Sequence, residues 1–338
     1  MCSLLCRVAP AALGLLAVLI AAALQAQVTR LPAVAPAEEL YPGQLTSFPG
    51  SGAELLQEPG GLDLPAQPEL PPGARPGMFQ KLLFTGSWLG DGGGADAFGI
   101  SDLETKVILA LPIPSRDYPL IITPGFGVHY LDGPAGSGLP KETYDAYAQF
   151  RWMRRLSPQL GIDLAITPGV FSDFKQDSDD ALRLTGHAAA MWTYTEDFKW
   201  VLGAAYIDRY STDILPIFGF IWTPHEDVKF DLVFPHPRIS WVIRQPVPYS
   251  DDTATWGYIA GELGGGVWSV ERAGAVADEI DYTDYRLVFG LEGGFWGGGG
   301  IKSHIEIGYV FGRKLRYASR FARYTPNDTV MLRAGLTF

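Results

Sequence analysis

From Ile301 to Phe311 the chain alternates: Ile301, Ile305, Ile307, Tyr309 and Phe311 fall on one side, and Lys302, His304, Glu306 and Gly308 on the other. Side chains of a β-strand point to opposite faces at every step, so this pattern predicts a strand with one apolar face. The same split separates Tyr144, Ala146, Ala148, Phe150 and Trp152 from Asp145, Tyr147, Gln149 and Arg151, and Leu160, Ile162, Leu164 and Ile166 from Gly161, Asp163, Ala165 and Thr167. It returns in Val228, Phe230, Leu232 and Phe234 against Lys229 and Asp231, and in Val330, Leu332, Ala334, Leu336 and Phe338 against Met331, Arg333, Gly335 and Thr337. Two apolar stretches, Leu82 to Leu89 and Ile214 to Trp222, choose neither face.

Counted on a template of roughly ten residues, the pattern predicts about fourteen strands from residue 80 onward, with twelve as the alternative. An even number follows if both ends of a barrel lie on one side of a membrane. The links Gly90 to Gly99, Leu131 to Glu142, Ser172 to Asp180, Glu271 to Ile280 and Lys314 to Thr325 are long and polar, while Leu156 to Gln159, Thr195 to Phe198 and Thr223 to Asp227 are short. Long loops at one end and short turns at the other are the mark of a transmembrane barrel. Trp152, Trp192, Trp200, Trp222, Trp256 and Trp296 would then gather near the short-turn end as an interfacial girdle. The expected fold is all-β: a transmembrane antiparallel up-and-down β-barrel of the outer-membrane type. A soluble β-sandwich is the competing fold, because alternation does not tell a lipid face from a core face.

Ahead of the barrel, residues 1–26 read as a secretory signal peptide, with Arg7 before the apolar run Ala11 to Leu24 and the small residues Ala21 to Ala23 near a cut site. Residues 27–78 hold ten of the 26 prolines and read as a disordered periplasmic linker, since proline removes ladder donors and little apolar surface is available. The barrel takes residues 79–338. Both cysteines, Cys2 and Cys6, precede the apolar run, so the exported part is expected to have no disulfide and no thiolate site. A formal charge of −11 excludes a nucleic-acid partner, which needs a basic face.

On this parity the lumen-lining candidates are Glu104, Lys106, Asp145, Arg151, Asp163 and Arg183 in the first half of the barrel, with His129 beside them. In the second half they are Lys229, Asp231, Arg238, Arg244, Glu262, Arg286, Glu292, Lys302, Glu306 and Arg333. Mixed charges inside a barrel either line a solute path or pair into a rigid lattice. Arg313, Lys314, Arg316, Arg320 and Arg323 form a stretch without acids in an acidic chain. It is a candidate for binding anions or lipid phosphate, with pairing to acidic loops as the alternative.

Catalytic signals are thin. There is no G-x-S-x-G, and Ser303 and His304, as neighbours on a strand, point to opposite faces; His187 completes the available set. Asp91 to Asp96, Asp177 to Asp180 and His225-Glu226 lack the repeat or spacing of metal sites. No cofactor and no metal is expected.

Leu215 to Arg238, Glu262 to Trp268, Asp281 to Arg286 and Glu306 to Arg313 resemble segments of an uncharacterised family of predicted outer-membrane β-barrels, common in planctomycetes. A final strand closing on Phe338 is similar to the strand by which such barrels are read by the barrel assembly machinery. The resemblance implies fold and bacterial outer-membrane location, and no activity. The functional expectation is a non-enzymatic barrel in contact with outer-membrane lipid, first a channel for small solutes. The alternatives are a structural or surface-binding barrel without conductance and a lipid-active enzyme.

Overall fold

The structure is a computed structural model and describes residues 77–338 apart from 116, 135, 176–180, 210–211, 246–253, 273–274 and 294–300. Residues 1–26, expected to be a signal peptide, and almost all of the proline-rich stretch lie outside the described residues, as do Trp296 and the acidic run Asp177 to Asp180.

Fifteen strands follow one another with no α-helix among the described residues. They are β1 (Phe79–Leu89), β2 (Gly99–Pro114), β3 (Pro119–Asp132), β4 (Glu142–Arg155), β5 (Leu160–Ser172), β6 (Leu182–Thr193), β7 (Phe198–Arg209) and β8 (Thr212–His225). Then come β9 (Val228–Phe234), β10 (Arg238–Arg244), β11 (Thr255–Arg272), β12 (Val276–Gly293), β13 (Lys302–Tyr317), the two-residue β14 (Arg323–Tyr324) and β15 (Thr329–Thr337). From β1 to β13 each strand pairs antiparallel with the next, and β15 pairs with both β13 and β1, so fourteen strands close a ring. The closing seam runs from Leu83 opposite Thr337 to Leu89 opposite Met331. Beyond it, Leu82 and Phe338 exchange backbone hydrogen bonds of 3.1 and 2.9 Å. Closure leaves the ring no terminal edge strand, the arrangement by which a sheet pairs most of its backbone groups internally.

The expected alternation holds along β15, where Val330, Leu332 and Ala334 are exposed and Met331 and Gly335 are buried. The outer face carries Phe84, Leu103, Ile166, Leu202, Phe218, Phe289 and Ile307, all exposed. β8 chooses no face in the sequence because both its faces are apolar. Ile214, Phe218 and Trp222 point outward, while Ile217 and Ile221 join Ala189, Met191, Val201 and Val233 in a small interior cluster. Near the short turns Trp192 lies opposite Trp200, Phe198 opposite Trp222 and Trp222 opposite Phe230, with the Trp222 and Phe230 rings stacked at 5.1 Å.

Two features break the simple cylinder. At Gly312, φ +63°, β13 carries a bulge: Tyr285 faces Phe311 and Thr283 faces Lys314, so two residues of β13 oppose one of β12. A left-handed glycine at the first bulge position is the usual device, and it inverts the parity of everything after it. Even-numbered His304, Glu306 and Val310 face inward before the bulge, and odd-numbered Arg313, Leu315 and Tyr317 after it.

The second break is larger. β9 and β10 have seven residues each, whereas β11 has eighteen. Past the link Pro235-His236-Pro237, β11 has lost β10 and bends at Gly264-Gly265-Gly266. A Cβ on Gly265 (φ +91°) would lie 1.9 Å from the Tyr282 carbonyl oxygen, so only glycine permits this bend. β11 then meets β5, with Ser269 paired in parallel to Ser172 and the Asp173 amide donating to the Ser269 carbonyl at 3.1 Å. At the long-loop end the walls β11, β12, β13, β15 and β1 to β5 therefore form a smaller ring of nine strands. A ring of about that size is narrow enough for side chains to fill. Leu89, Phe98, Trp268, Val270, Ile280, Tyr282, Leu315 and Tyr317 fill it as one buried cluster.

Candidate functional site

Below this apolar plug the wider ring encloses a cavity of about 710 Å³. Its wall carries charged side chains from the inward positions of β2, β3, β4, β6, β10 to β13 and β15. Arg333 on β15 donates through its two terminal nitrogens to Glu262 on β11 at 2.6 and 3.1 Å, and through Nε to Glu306 on β13. The Tyr258 hydroxyl also donates to Glu306. Arg238 lies 3.7 Å over the Tyr258 ring and pairs with Glu292 at 2.7 Å. Arg286 forks onto Asp284 with bonds of 2.8 and 3.1 Å. Such bidentate pairs fix both partners in one geometry.

A second group sits across the lumen on β2, β3 and β4. The two ring nitrogens of His129 lie 2.8 Å from Asp102, in a hydrogen bond, and 2.9 Å from Asp145, an ion-pair distance without hydrogen-bond alignment. Trp268, reaching over from β11, donates its indole N–H to Asp145 at 2.7 Å and packs its ring 5.1 Å from His129. Glu104 bonds Lys106 and the Tyr147 hydroxyl, both at 2.7 Å. On β4 and β5, Arg151 forks onto Asp163 at 2.9 and 2.6 Å, with His187 3.3 Å from the same carboxylate.

Of the residues expected in the lumen, Glu104, Lys106, His129, Asp145, Arg183, Arg238, Glu262, Arg286, Glu306 and Arg333 line the main cavity. Arg151, Asp163 and Asp231 line an adjoining one of about 230 Å³. Lys229 and Lys302 are half-buried, and Glu292 stands beside Arg238. Arg244 departs from the expectation: a register shift between Val242 and Arg244 leaves it exposed at the end of β10. The basic stretch is also corrected in part. Arg313 is 1% exposed and, turned inward by the Gly312 bulge, donates to the Tyr282 hydroxyl (2.9 Å), the Asn327 carbonyl (3.0 Å) and the Phe98 carbonyl. It is a clasp for the loops around it and not a surface cation. Lys314 and Arg316 are half-buried, Arg316 in register with Asp281, while Arg320 and Arg323 are exposed.

Reading by parity missed Asp102, Tyr258, Asp284 and Trp268. Asp102 shares its face with Glu104 and Lys106, and that signal was available. Arg209 and His236 also went unnoticed. Arg209 donates to the Gly264 and Gly265 carbonyls at 2.8 and 2.7 Å, a contact that only the bend of β11 creates. Ser303 donates to the Gly293 carbonyl at 3.2 Å. Asp91 and Asp96 accept backbone amides of Gly93 and Thr325 at 3.1 and 3.0 Å.

The sequence profile of one family, described as Domain of unknown function (DUF6268), matches residues 135–325. The chain belongs to that family. Its DUF6268 region begins before β4 and ends just after β14, and so contains the short pair β9 and β10, the glycine bend, Trp268 and the Gly312 bulge. Strands β1 to β3 and β15, which supply Asp102, Glu104, His129 and Arg333, lie outside the match. Comparison with curated proteins finds no match.

Proposed function

We propose that the chain is a non-enzymatic β-barrel of the bacterial outer membrane whose lumen is a charged solute cavity, shut at the long-loop end. The observation that carries the membrane setting is the outer face. Large apolar side chains stand exposed on strands all round the ring, from Phe84 and Leu103 through Leu184, Leu202 and Phe218 to Ile243, Phe289, Ile307 and Leu332. A soluble monomer rarely shows a contiguous apolar patch beyond a few hundred Å². On β8 the outward series from Ile214 to Trp222 covers about 26 Å of strand at roughly 3.3 Å per residue. Tilted by about 40°, that is about 20 Å of height, close to the apolar band of outer-membrane barrels. Outer-membrane lipid is then the partner of this face, and Trp192, Trp200 and Trp222 sit where an interfacial girdle belongs.

The shut state is supported by the apolar cluster inside the nine-strand ring and by the paired charges beneath it. A gated channel is the second reading, favoured by the reach of the cavity to Lys81, His304 and Thr337 at the opposite end of the lumen. Liposome swelling tests the proposal. Vesicles carrying the folded protein at high load are expected to exclude small sugars, and rapid sugar entry would overturn the shut cavity.

A further inference from the structure

β8 runs past its neighbour. Its ladder with β9 starts at Phe218 opposite Phe234, so residues 212–217 have β7 on one side and no strand on the other among the described pairs. Across the notch, β11 leaves β10 after Ala260, apart from one bond from the Gly261 amide to Pro237, and regains a partner only at Ser269. The link Pro235-His236-Pro237 forms the sill. In a closed barrel this is an interruption in the wall at the height of the lipid-facing residues, and the 230 Å³ cavity lies behind it, inside the lumen, reaching inward to Arg151, Asp163, His187 and Asp231.

The lining changes character from outside to inside. Leu215, Phe234, Pro235 and Leu263 make the rim, and Arg209 and His236 belong to both this cavity and the main one. Arg209 spends donors on two backbone carbonyls; Asp281 and Asp284 act on its charge, but no carboxylate forms a direct ion pair with it among the described residues. A guanidinium with no carboxylate in direct contact, set behind an apolar rim, can still complete a charge-assisted pair, and the complement is an anion carrying a hydrocarbon chain. At about 230 Å³ the notch is smaller than the pockets that take drug-sized molecules, which suits one alkyl chain and not a two-chain lipid.

We infer that the gap between β8 and β11 is a lateral portal that admits a single-chain anionic amphiphile from the membrane, its chain against Leu215, Phe234 and Leu263 and its head drawn to Arg209 at the mouth of the main cavity. This rests on the membrane reading above. It also gives the cavity a route that the plugged long-loop end denies it.

The test uses the full chain in phosphatidylcholine nanodiscs, with a fluorescent long-chain fatty acid as probe and the corresponding fluorescent alcohol as control. Saturable binding of the fatty acid is expected, weakened at least tenfold by Arg209→Gln while alcohol binding is unchanged. Leu263→Cys, folded first and then alkylated with a bulky maleimide, should abolish binding of both probes without relying on a variant that must fold with a large side chain. Competition by lysophosphatidic acid or by unlabelled fatty acid tells a phosphate head from a carboxylate head, and either supports the portal. Absence of saturable binding, or binding untouched by alkylation, in a protein whose gel migration changes on boiling would overturn the portal alone. Migration unchanged by boiling would overturn the membrane reading and the portal with it.

Discussion

Ser269 of β11 is paired in parallel with Ser172 of β5, two strands that stand six places apart in the order of the wall. Everything unusual about this barrel follows from that contact. A wide polar ring below becomes a narrow apolar one above, and a stretch of wall between β8 and β11 is left without a ladder.

The bend that makes the contact depends on Gly265. Alanine there would put a Cβ 1.9 Å from the Tyr282 carbonyl oxygen at φ +91°, and backbone strain of this kind costs about 1–3 kcal/mol before the clash is counted. Gly265→Ala is expected to lower the denaturation midpoint of the folded barrel and to make the long-loop end leaky in planar bilayers. A variant as stable and as tight as the wild type would show that the bend does not close the lumen.

Trp268 is the keystone of the plug. Trp268→Ala removes a buried ring, a change that costs about 3–5 kcal/mol, and leaves Asp145 without its indole donor. The expected outcome is a destabilised barrel with measurable ion conductance, read by bilayer recording and by chemical denaturation of the same preparation.

Arg333 holds two carboxylates from two other strands. Arg333→Met leaves Glu262 and Glu306 close together and uncompensated, and breaking a buried pair in this way costs about 3–5 kcal/mol. Glu306→Gln keeps a hydrogen-bond acceptor for Tyr258 and should cost less. A denaturant series that ranks the two variants the other way would contradict a lattice centred on Arg333.

Leu332 stands 51% exposed in the middle of β15. In a bilayer Leu332→Arg carries a charge near the midplane and is expected to cost about 2–4 kcal/mol, while in water it would be neutral or improve solubility. Refolding into vesicles, compared with refolding in buffer alone, separates the two.

The fourteen strands were legible because each is a local pattern of period two, and a closed ring with an apolar outer face repeats that pattern with little interruption. The strand ends were less so: β12 begins at Val276 and β13 runs to Tyr317, within stretches that read as polar loops, because those segments pair above the apolar belt where sequence hydrophobicity gives no cue. Arg313 was assigned to the surface because one left-handed glycine shifts the parity, and Gly312 looks like any other glycine among 40. The contact between Ser269 and Ser172 has no sequence signature at all. It joins residues far apart in the chain, and only the shortness of β9 and β10 hints that β11 must find another neighbour.

The central claim, that the apolar outer face lies in lipid, is tested most directly by tryptophan fluorescence of the chain reconstituted with brominated phospholipids. Trp88, Trp192, Trp200, Trp222 and Trp241 are all exposed on that face, so bromine on the acyl chains should quench most of the emission and aqueous iodide should quench little. Emission indifferent to brominated lipid and strongly quenched by iodide would contradict the account.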